Sequence, residues 1–524
     1  MVKRLVHFFV VFSIVVISFN NLLADEPETK SNKIDMESRI IFPRPFAIAI
    51  DDLGWSIGND DGYADLQGPY RIGIDRKMDI NNYKCLVDVA RELNIRLQTL
   101  FIMGEMDREN VLAKYPTTNP NGKNWDNSSN VKDEQLEIME FIKQNAAYLE
   151  FGLHGVLHEY WTEENKRSRA EWYNIDDNHP WPEEEINNHL KCFKEIMGQY
   201  GLSEAEGHSF PESFVPCAYS YHWNPKGEFS TGVVLHREGV KYANTLFQEV
   251  SELNPPKEPN GGDFDHGLIV INRINYGNDW FAYSAVPTVP IGEQESDIIE
   301  THWSNWLAPD DFLQQATNQK WIDYFRMVQS QSDRYFAKNT EQFYSQWLYK
   351  KYTSVVEETN GTVIIDNTKM PDVVYQNKLL GNMVLKVKLG DGEHISSAYF
   401  DKHEIAAYFE DMGFGFIYLP PLEQKEYKLE YLVGKQTMPY YVLNDGTYNN
   451  YSFVHSKKKT TINLRLYGTQ TVKISGVKNV FKLEISNPKV QLISKHFDEA
   501  SQTLLLELSA HNIQGETTRI ILRH

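Results

Sequence analysis

The alternation of short apolar runs with helix-like segments between residues 45 and 352 constrains the fold more than any other feature of the chain. Strands alternating with helices over such a length are typical of a parallel α/β sheet, either open or closed into a barrel. The sequence predicts strands at residues 46–50, 96–103, 148–153, 213–219, 232–236, 241–246, 267–274 and 297–303. It predicts the intervening helices at residues 82–93, 134–147 and 183–200, with a closing helix at 310–331.

The pattern changes after residue 352. Short β-rich segments follow one another to the C-terminus, separated by Gly, Asn and Asp turns, and no long helix interrupts them. This spacing is typical of a β-sandwich-like module, or of two small ones. We therefore predict an α/β domain at residues 42–352 and a C-terminal all-β region at residues 353–524.

The N-terminus resembles a secretory signal peptide. Lys3 and Arg4 precede an apolar run at residues 5–18, and cleavage after Ala24 fits the small residue before an acidic stretch. The run is shorter than the roughly 20 residues that a membrane-spanning helix needs. We predict a signal peptide at residues 1–24, a flexible lead-in at residues 25–41, and a secreted or periplasmic protein with no integral membrane segment after cleavage. No Cys lies near the cleavage point to accept a lipid.

Charge and cysteine content narrow the function classes. Lys and Arg number 52 against 72 Asp and Glu, for a net charge of −20. This balance disfavours nucleic acid as a partner, because binding to phosphates requires a basic surface. It also argues weakly against strongly anionic polymers as substrates. The three cysteines are too few and too dispersed for a disulfide framework, so buried free thiols are expected.

Three polar clusters follow predicted strands, at the rim where parallel α/β barrels build their active sites. Asp51 and Asp52 follow the first strand, and His154 and His158 follow the strand at 148–153. Two histidines at i and i+4 on a helical turn lie on one side and can hold a metal ion, to which a carboxylate can be added. His302 ends the strand at 297–303 and is placed to act as a general acid, with a third metal ligand or a structural histidine as alternatives.

Together these clusters resemble the motifs of NodB-type polysaccharide deacetylases, which belong to carbohydrate esterase family four and use a deformed (β/α) barrel. The matching segments are Ile50-Asp51-Asp52, His154-Gly155-Val156-Leu157-His158 and Ile299-Glu300-Thr301-His302. The resemblance implies a metal-dependent hydrolase that removes N- or O-acetyl groups from a polysaccharide or oligosaccharide. It implies Asp52, His154 and His158 as ligands of a divalent metal (Zn²⁺ first, with Co²⁺, Ni²⁺ or Mn²⁺ as alternatives), Asp51 as base and His302 as acid.

The resemblance also directs attention to residues around this rim. Asp279 and Trp280 look like the Asp-Trp motif that precedes the family's final His, and Tyr219 and Trp303 fall in or beside rim loops. The family's Arg-containing motif has no counterpart at residues 208–220, and Arg273, after a predicted strand, is a candidate replacement. We expect these five residues to bind substrate or to support the site.

Two other functions remain open from the sequence. A glycoside hydrolase on the same barrel needs a second carboxylate, for which Asp263, Asp265 and Asp279 are candidates. A non-catalytic glycan-binding protein that retains the fold is the second alternative. Carbohydrate is the expected partner in every case, and the sequence assigns no oligomeric state.

Overall fold

Seven parallel strands form the sheet that carries the polar clusters. We label them β1 (Arg44–Leu53), β2 (Gln98–Ile102), β3 (Gly152–Gly155), β4 (Ser213–Phe214), β5 (Tyr242–Thr245), β6 (Leu268–Asn272) and β7 (Ile298–His302). Their order in the sheet is β7-β1-β2-β3-β4-β5-β6, and every neighbouring pair is parallel. Ile274, just beyond β6, makes a parallel bridge with Ile299 in β7, so the sheet curls until its two ends meet.

The computed structural model describes residues 38–56, 77–162, 164, 166–227, 229–247, 262–359, 361–438, 440–443, 446–477 and 482–524. The predicted signal peptide and most of the predicted lead-in lie outside these residues. Two further strands extend the curled sheet: Gly262–Asp265 pairs antiparallel with β6, and Arg334–Phe336 pairs parallel with β1.

Helices cover the outside of the curled sheet, as the alternating pattern predicts. They span Ile80–Leu93, Asp133–Gln144, Glu183–Gln199, Thr231–Arg237, Gln314–Ser330 and Thr340–Tyr352, with a four-residue helix at Trp303–Trp306. One prediction is wrong, because residues 232–236 belong to the helix Thr231–Arg237 rather than to a strand. Neighbouring valines favour a strand locally, but burying Val234 and Leu235 against the core stabilises a helix there.

The described part of the C-terminal region is β-rich, with one short helix at Asp372–Gln376. A four-stranded sheet consists of Ile40–Ile41, Met383–Lys388, Phe414–Leu419 and Tyr408–Asp411. A five-stranded sheet consists of Ser354–Thr359, Thr362–Asp366, Glu426–Gly434, His394–Phe400 and His403–Glu404. Apolar side chains of both sheets share one cluster, as in a sandwich.

Two more four-stranded sheets follow and share a cluster of their own. One consists of Tyr441–Leu443, Thr469–Ser475, Thr503–Ala510 and Val490–Asp498. The other consists of Asn449–His455, Lys459–Leu466, Glu516–Arg523 and Lys482–Ile485. The β-rich C-terminal region therefore contains two sandwich-like pairs of sheets.

The helix Thr340–Tyr352 connects the curled sheet to the β-rich region. Phe343 and Leu348 of this helix share one apolar cluster with Ile298 of β7 and with Leu385 of the C-terminal region. Ion pairs add to this contact, because the Arg465 guanidinium bonds both Glu212 and Glu341, at 2.8 and 2.6 Å. The helix that ends at Tyr352 thus packs against both the curled sheet and the β-rich region.

Among the described residues, no helix is long and apolar enough to cross a bilayer.

Candidate metal and catalytic site

A bulge at the end of β1 places two successive carboxylates together. Ile50 pairs with Thr99 of β2, but the next pair is Leu53 with Phe101, so β1 carries one residue more than β2 over this stretch. Asp52 takes a left-handed φ of 68°, which turns the chain out of the regular strand alternation. Asp51 and Asp52 are therefore both buried at this rim, at 1% and 4% exposure.

A second bulge places His154. Phe101 pairs with Leu153 and Ile102 pairs with Gly155, which leaves His154 as the extra residue of β3. His158 follows in a bend with φ of 72°, so the expected helical turn for these two histidines is wrong. The two imidazole rings nevertheless lie close, with centroids 5.2 Å apart. A bulge and a bend at the end of one strand, β3, bring them together, rather than one turn of helix.

The buried carboxylate of Glu171 holds this bend in shape. It accepts backbone hydrogen bonds from Val156 at 2.9 Å and His158 at 3.0 Å, and its Oε1 lies 2.9 Å from Nδ1 of His189. Glu171 and His189 are each only 1% exposed. Gly155 is required here, because a Cβ at this position would lie 2.2 Å from a Glu171 oxygen. Nothing in the local sequence marks Glu171, since its partners lie 13 or more residues away.

Three side chains present atoms that suit a divalent metal ion. Oδ1 of Asp52 lies 3.3 Å from Nε2 of His154 and 3.9 Å from Nε2 of His158. Oδ1 of Asp52 and Nε2 of His154 are buried and lack a hydrogen-bond partner in the described part of the chain. Nδ1 of His154 lies 2.8 Å from the carbonyl oxygen of Val215, which leaves Nε2 as the atom able to bind metal. Asp with two His is a donor set that binds Zn²⁺ and related ions, so these residues fit such a group.

The electrostatics of this cluster agree with that donor set. Burial alone would raise the pKa of the Asp52 carboxyl, but the neighbouring histidines His154 and His158 lower it below its ordinary value. Burial lowers the pKa of His158 to about 3, so its ring is neutral near pH 7. A neutral imidazole beside an ionised carboxylate can donate electron pairs to a cation.

Cys217 is the nearest thiol to the cluster. Its ligating sulfur and ring nitrogens of His154 and His158 all lie within 4.8 Å of one another. Its Sγ donates to the carbonyl oxygen of His154 at 3.3 Å, and burial raises the pKa of the thiol well above its usual range. A protonated thiol turned towards the backbone is a poor ligand. Cys85, Cys192 and Cys217 are all buried.

Arg273 binds Asp51 directly. Its two terminal nitrogens donate to the two carboxylate oxygens of Asp51 at 2.8 and 2.5 Å. Burial alone would raise the pKa of Asp51, but the Arg273 guanidinium and the nearby His154 lower it to about 2. Arg273 has no exposed surface, so it supports Asp51 and does not line the cavity as a substrate-binding residue would.

His302 joins this cluster from the neighbouring strand. It pairs with Asp51 in the register of β7 with β1. Its Nε2 lies 3.9 Å from Oδ2 of Asp52, and its Nδ1 lies 3.7 Å from Oε1 of Glu300. The Tyr219 hydroxyl donates to the same Glu300 oxygen at 2.6 Å. Glu300 therefore hydrogen-bonds Tyr219 and lies near His302, at a distance too long for a hydrogen bond.

One cavity of about 520 Å³ opens over these side chains. Its walls include Asp51, His154, His158, Tyr219, Glu300 and His302, together with Arg167, Arg169, Asp279 and Trp280. Asp52 contacts this cluster but is not among the residues that line the cavity. Trp303 is fully buried and packs its ring on Tyr83, so the structure does not bring this predicted substrate-binding residue to the cavity.

The three candidates for the second carboxylate of a glycoside hydrolase differ in their burial and in their position relative to the cavity. Asp265 is buried and accepts hydrogen bonds from Tyr221 and Ser230, at 2.8 and 2.6 Å, which is a structural role. Asp263 is exposed in the edge strand and does not line the cavity. Asp279 lies on the cavity rim, and Glu300 lies within the cavity.

No protein-family model matches the chain, and no curated protein matches it. Among solved structures, it is similar to the GH57-type branching enzyme of the hyperthermophilic archaeon Pyrococcus horikoshii, with 11% identity and a TM-score of 0.24, covering 44% of this chain and 47% of that one. It is also similar to the 4-alpha-glucanotransferase of Thermococcus litoralis, with 8% identity and a TM-score of 0.26, covering 92% of this chain and 99% of that one. The chain thus spans about half the length of the first of these enzymes.

These neighbours correct the predicted family. Neither is a polysaccharide deacetylase, so the predicted NodB-type membership and the predicted deacetylase activity are wrong. The α/β fold with a curled sheet and a β-rich C-terminal region stands, without a NodB type for its barrel. At these identities and TM-scores neither neighbour assigns a role to any residue of this chain.

Proposed function

We propose that this protein is a carbohydrate-active enzyme that cleaves a glycosidic bond, and that a divalent metal ion is held beside the bond by Asp52, His154 and His158. The observation that carries the proposal is the content of the cavity. An ionised carboxylate, a histidine cluster and two aromatic side chains meet in a space of about 520 Å³, within the size range of sites for small molecules.

Carbohydrate as the substrate class is supported by the walls of the cavity. Trp280 and Tyr219 are partly exposed at its surface, and aromatic faces of this kind pack against the apolar faces of sugar rings. The names of both structural neighbours are also those of carbohydrate-active enzymes.

Asp51 supplies the negative charge that glycosidic cleavage requires. Its pKa of about 2 keeps the carboxylate ionised at neutral pH, and Arg273 fixes its orientation through two hydrogen bonds. An ionised carboxylate beside the anomeric carbon stabilises the positive charge that develops there as the bond breaks. We assign this role, beside the anomeric carbon, to Asp51.

His302 is the proton donor to the leaving oxygen. Its ring lies on β7, next to Asp51 on β1, and its Nδ1 faces Glu300 at 3.7 Å. When the C–O bond breaks, the leaving oxygen takes a proton from the ring and the anomeric carbon takes a hydroxyl from water. The proton that the water releases restores the ring, and the Glu300 carboxylate lies 3.7 Å from its Nδ1.

A divalent ion bound at Asp52, His154 and His158 would act as a Lewis acid. It would stabilise negative charge that develops on an oxygen atom of the reacting sugar. The orphaned Oδ1 of Asp52 and Nε2 of His154 support this assignment.

The test is cleavage of a panel of α- and β-linked oligosaccharides, with products separated by chromatography. The protein is first stripped with a chelator and then reloaded separately with Zn²⁺, Co²⁺, Ni²⁺ or Mn²⁺. Asp51→Asn and His302→Gln should each lower kcat by about 10²–10⁴-fold. Asp263→Asn, an exposed carboxylate outside the cavity, is the matched control and should retain wild-type kcat.

Two results would refute the proposal. One is acetate release from acetylated glycans with every glycosidic bond left intact. The other is cleavage that proceeds equally well in Asp51→Asn and in wild type.

A further inference from the structure

We propose that the β-rich region carries a second binding site, which holds one unit of an uncharged saccharide in a cavity between its two sandwich-like pairs of sheets. The choice of a sugar as the occupant rests on the proposed function, but binding tests it without any cleavage. This cavity shares no lining residue with the cavity over the metal and catalytic cluster.

The cavity encloses about 360 Å³, within the size range of sites for small molecules. One wall comes from residues between 400 and 407, together with Tyr418 and Pro420, all in the first pair of sheets or the loops beside it. The other wall is residues 450–454, in an edge strand of the second pair. A ligand in this cavity would therefore contact both pairs of sheets.

Asn450 supplies the observation that carries the inference. Its side chain lines the cavity and is only 2% exposed, and neither its amide nitrogen nor its amide oxygen has a hydrogen-bond partner among the described residues. Burying an unpaired amide is costly, so buried amides in proteins are normally paired. An amide with both groups unpaired at a cavity wall is suited to a ligand that donates and accepts hydrogen bonds.

The neighbouring asparagine shows that the missing partners are a property of the cavity and not of the strand. Asn449 is also buried, but its amide accepts from Asn339 at 3.0 Å and donates to the Tyr467 hydroxyl at 3.0 Å. Successive side chains of a strand face opposite sides, so Asn449 and Asn450 have different surroundings. Of the two, only the residue on the cavity is left unpaired.

The backbone at Asn450 is held from the opposite wall. The side-chain amide of Asn382 donates to the carbonyl oxygens of Asn450 and Leu419, at 2.6 and 3.0 Å. A bulge follows directly, with Tyr451 as the extra residue of the strand. Bulges of this kind redirect side chains and are frequent beside functional sites. The backbone that carries the amide is thus fixed before a ligand arrives.

The walls of the cavity combine aromatic rings with this amide, a combination that suits a sugar. Tyr418 and Phe453 contribute the rings, and rings of this kind pack against the apolar faces of sugars. A sugar hydroxyl both donates and accepts, so neighbouring hydroxyl groups can pair both halves of the Asn450 amide. A purely apolar ligand would leave that amide unpaired.

The charges on the cavity walls favour an uncharged ligand over an anion. Two carboxylates, those of Asp401 and Glu404, and one ammonium group, that of Lys425, belong to residues that line the cavity. Lys425 already lies 3.7 Å from Asp401, so its charge is offset. An anionic sugar would meet Glu404 without a free cation to balance it, whereas a neutral saccharide would not.

The experiment measures binding by calorimetry to metal-loaded, full-length His302→Gln, in which slow cleavage preserves the probes. The probes are maltotriose, cellotriose, laminaritriose and galactotriose, with dodecanoate as an apolar probe. We expect at least one trisaccharide to bind. Adding Asn450→Leu should weaken one of its binding events by about tenfold, because a donor and an acceptor are lost. Phe453→Ala, which keeps Asn450 and removes a ring, should weaken the same event.

Thermal unfolding distinguishes a ligand-binding amide from a structural one. Asn450→Leu should keep or raise the melting temperature of its His302→Gln parent, because leucine is of similar size and leaves no polar group unpaired. Asn449→Leu is the matched control on the same strand. It should lower the melting temperature, since Asn339 and Tyr467 lose their partner, and leave trisaccharide binding unchanged.

Three results would overturn the inference. The first is that no trisaccharide binds, with or without binding of dodecanoate. The second is trisaccharide binding that neither Asn450→Leu nor Phe453→Ala weakens. The third is a fall in melting temperature in Asn450→Leu as large as that in Asn449→Leu. Cleavage by wild type is scored separately, so binding that depends on Asn450 without cleavage of any glycosidic bond would reject the proposed function and retain the second site.

Discussion

Replacing Arg273 by Met should destabilise the protein through Asp51, because Asp51 would keep its negative charge without its partner. The two side chains are 0% and 2% exposed, and two hydrogen bonds connect them. Removing one member of a buried ion pair typically costs about 3–5 kcal/mol, since the remaining charge is neither solvated nor paired. Met retains much of the volume of the arginine stem, so the loss of charge dominates the change.

The pKa of Asp51 gives an independent magnitude. Its fall from 3.8 to about 2 corresponds to stabilisation on the order of 2 kcal/mol at neutral pH. Because the folded pKa lies below the unfolded one, this stabilisation is present above pH 3.8 and is lost as the pH falls towards 2. In Arg273→Met, burial raises the pKa of Asp51 without the opposing guanidinium. The variant should therefore gain stability as the pH falls from 8 to 5.

The assay is thermal unfolding of metal-free protein, followed by circular dichroism at pH 8 and pH 5. We expect a melting temperature roughly 3–5 °C below wild type at pH 8, with a smaller deficit at pH 5. Asp51→Asn combined with Arg273→Met removes both charges and should recover most of the loss. If the single and double variants melt together at both values of pH, the reasoning from an unpaired buried charge is wrong.

Three further predictions follow from the site and the fold. The double variant His154→Ala, His158→Ala should lose stoichiometric metal by elemental analysis, whereas the exposed His403→Ala should retain it; retention in both would reject the ligand assignment. Glu171→Ala should weaken metal affinity by about 10–100-fold in a chelator competition, because the bend that carries His158 loses its buried acceptor, and unchanged affinity would contradict that role. Residues 353–524 expressed alone should be poorly soluble, because part of their apolar core lies against the helix before them; a soluble, cooperatively folding fragment would count against this.

The sequence predicts the composition of the site better than its shape. Asp51, Asp52, His154, His158 and His302 gather at one rim because each follows an apolar strand, and the ends of parallel strands meet there. The helical turn expected for the two histidines is absent, since the backbone of the bend depends on Glu171, a distant residue. Periodicity cannot reveal such a contact.

The same distinction applies to the residues that sequence reasoning missed. The segment Arg167-Ser168-Arg169 alternates charged and small polar residues, as many solvent-exposed segments do. The two arginines line the cavity because the hairpin folds beside it. No local sequence pattern predicts that position. The strand predicted at residues 232–236 is likewise a helix, Thr231–Arg237, because packing and not propensity decides its conformation.

The bulge in β1 has a consequence for how this site can be altered. In a regular strand, neighbouring side chains face opposite sides, so an Asp-Asp pair would present only one carboxylate inward. Here the extra residue lets Asp51 take the guanidinium while Asp52 faces the histidines. Inserting one residue between Thr99 and Phe101 of β2 would keep both carboxylates and yet remove the mismatch in length, which would turn one of them away from its partners. The pair is thus encoded as much by chain length as by residue identity, and an insertion or deletion scan would expose a dependence that substitutions leave hidden.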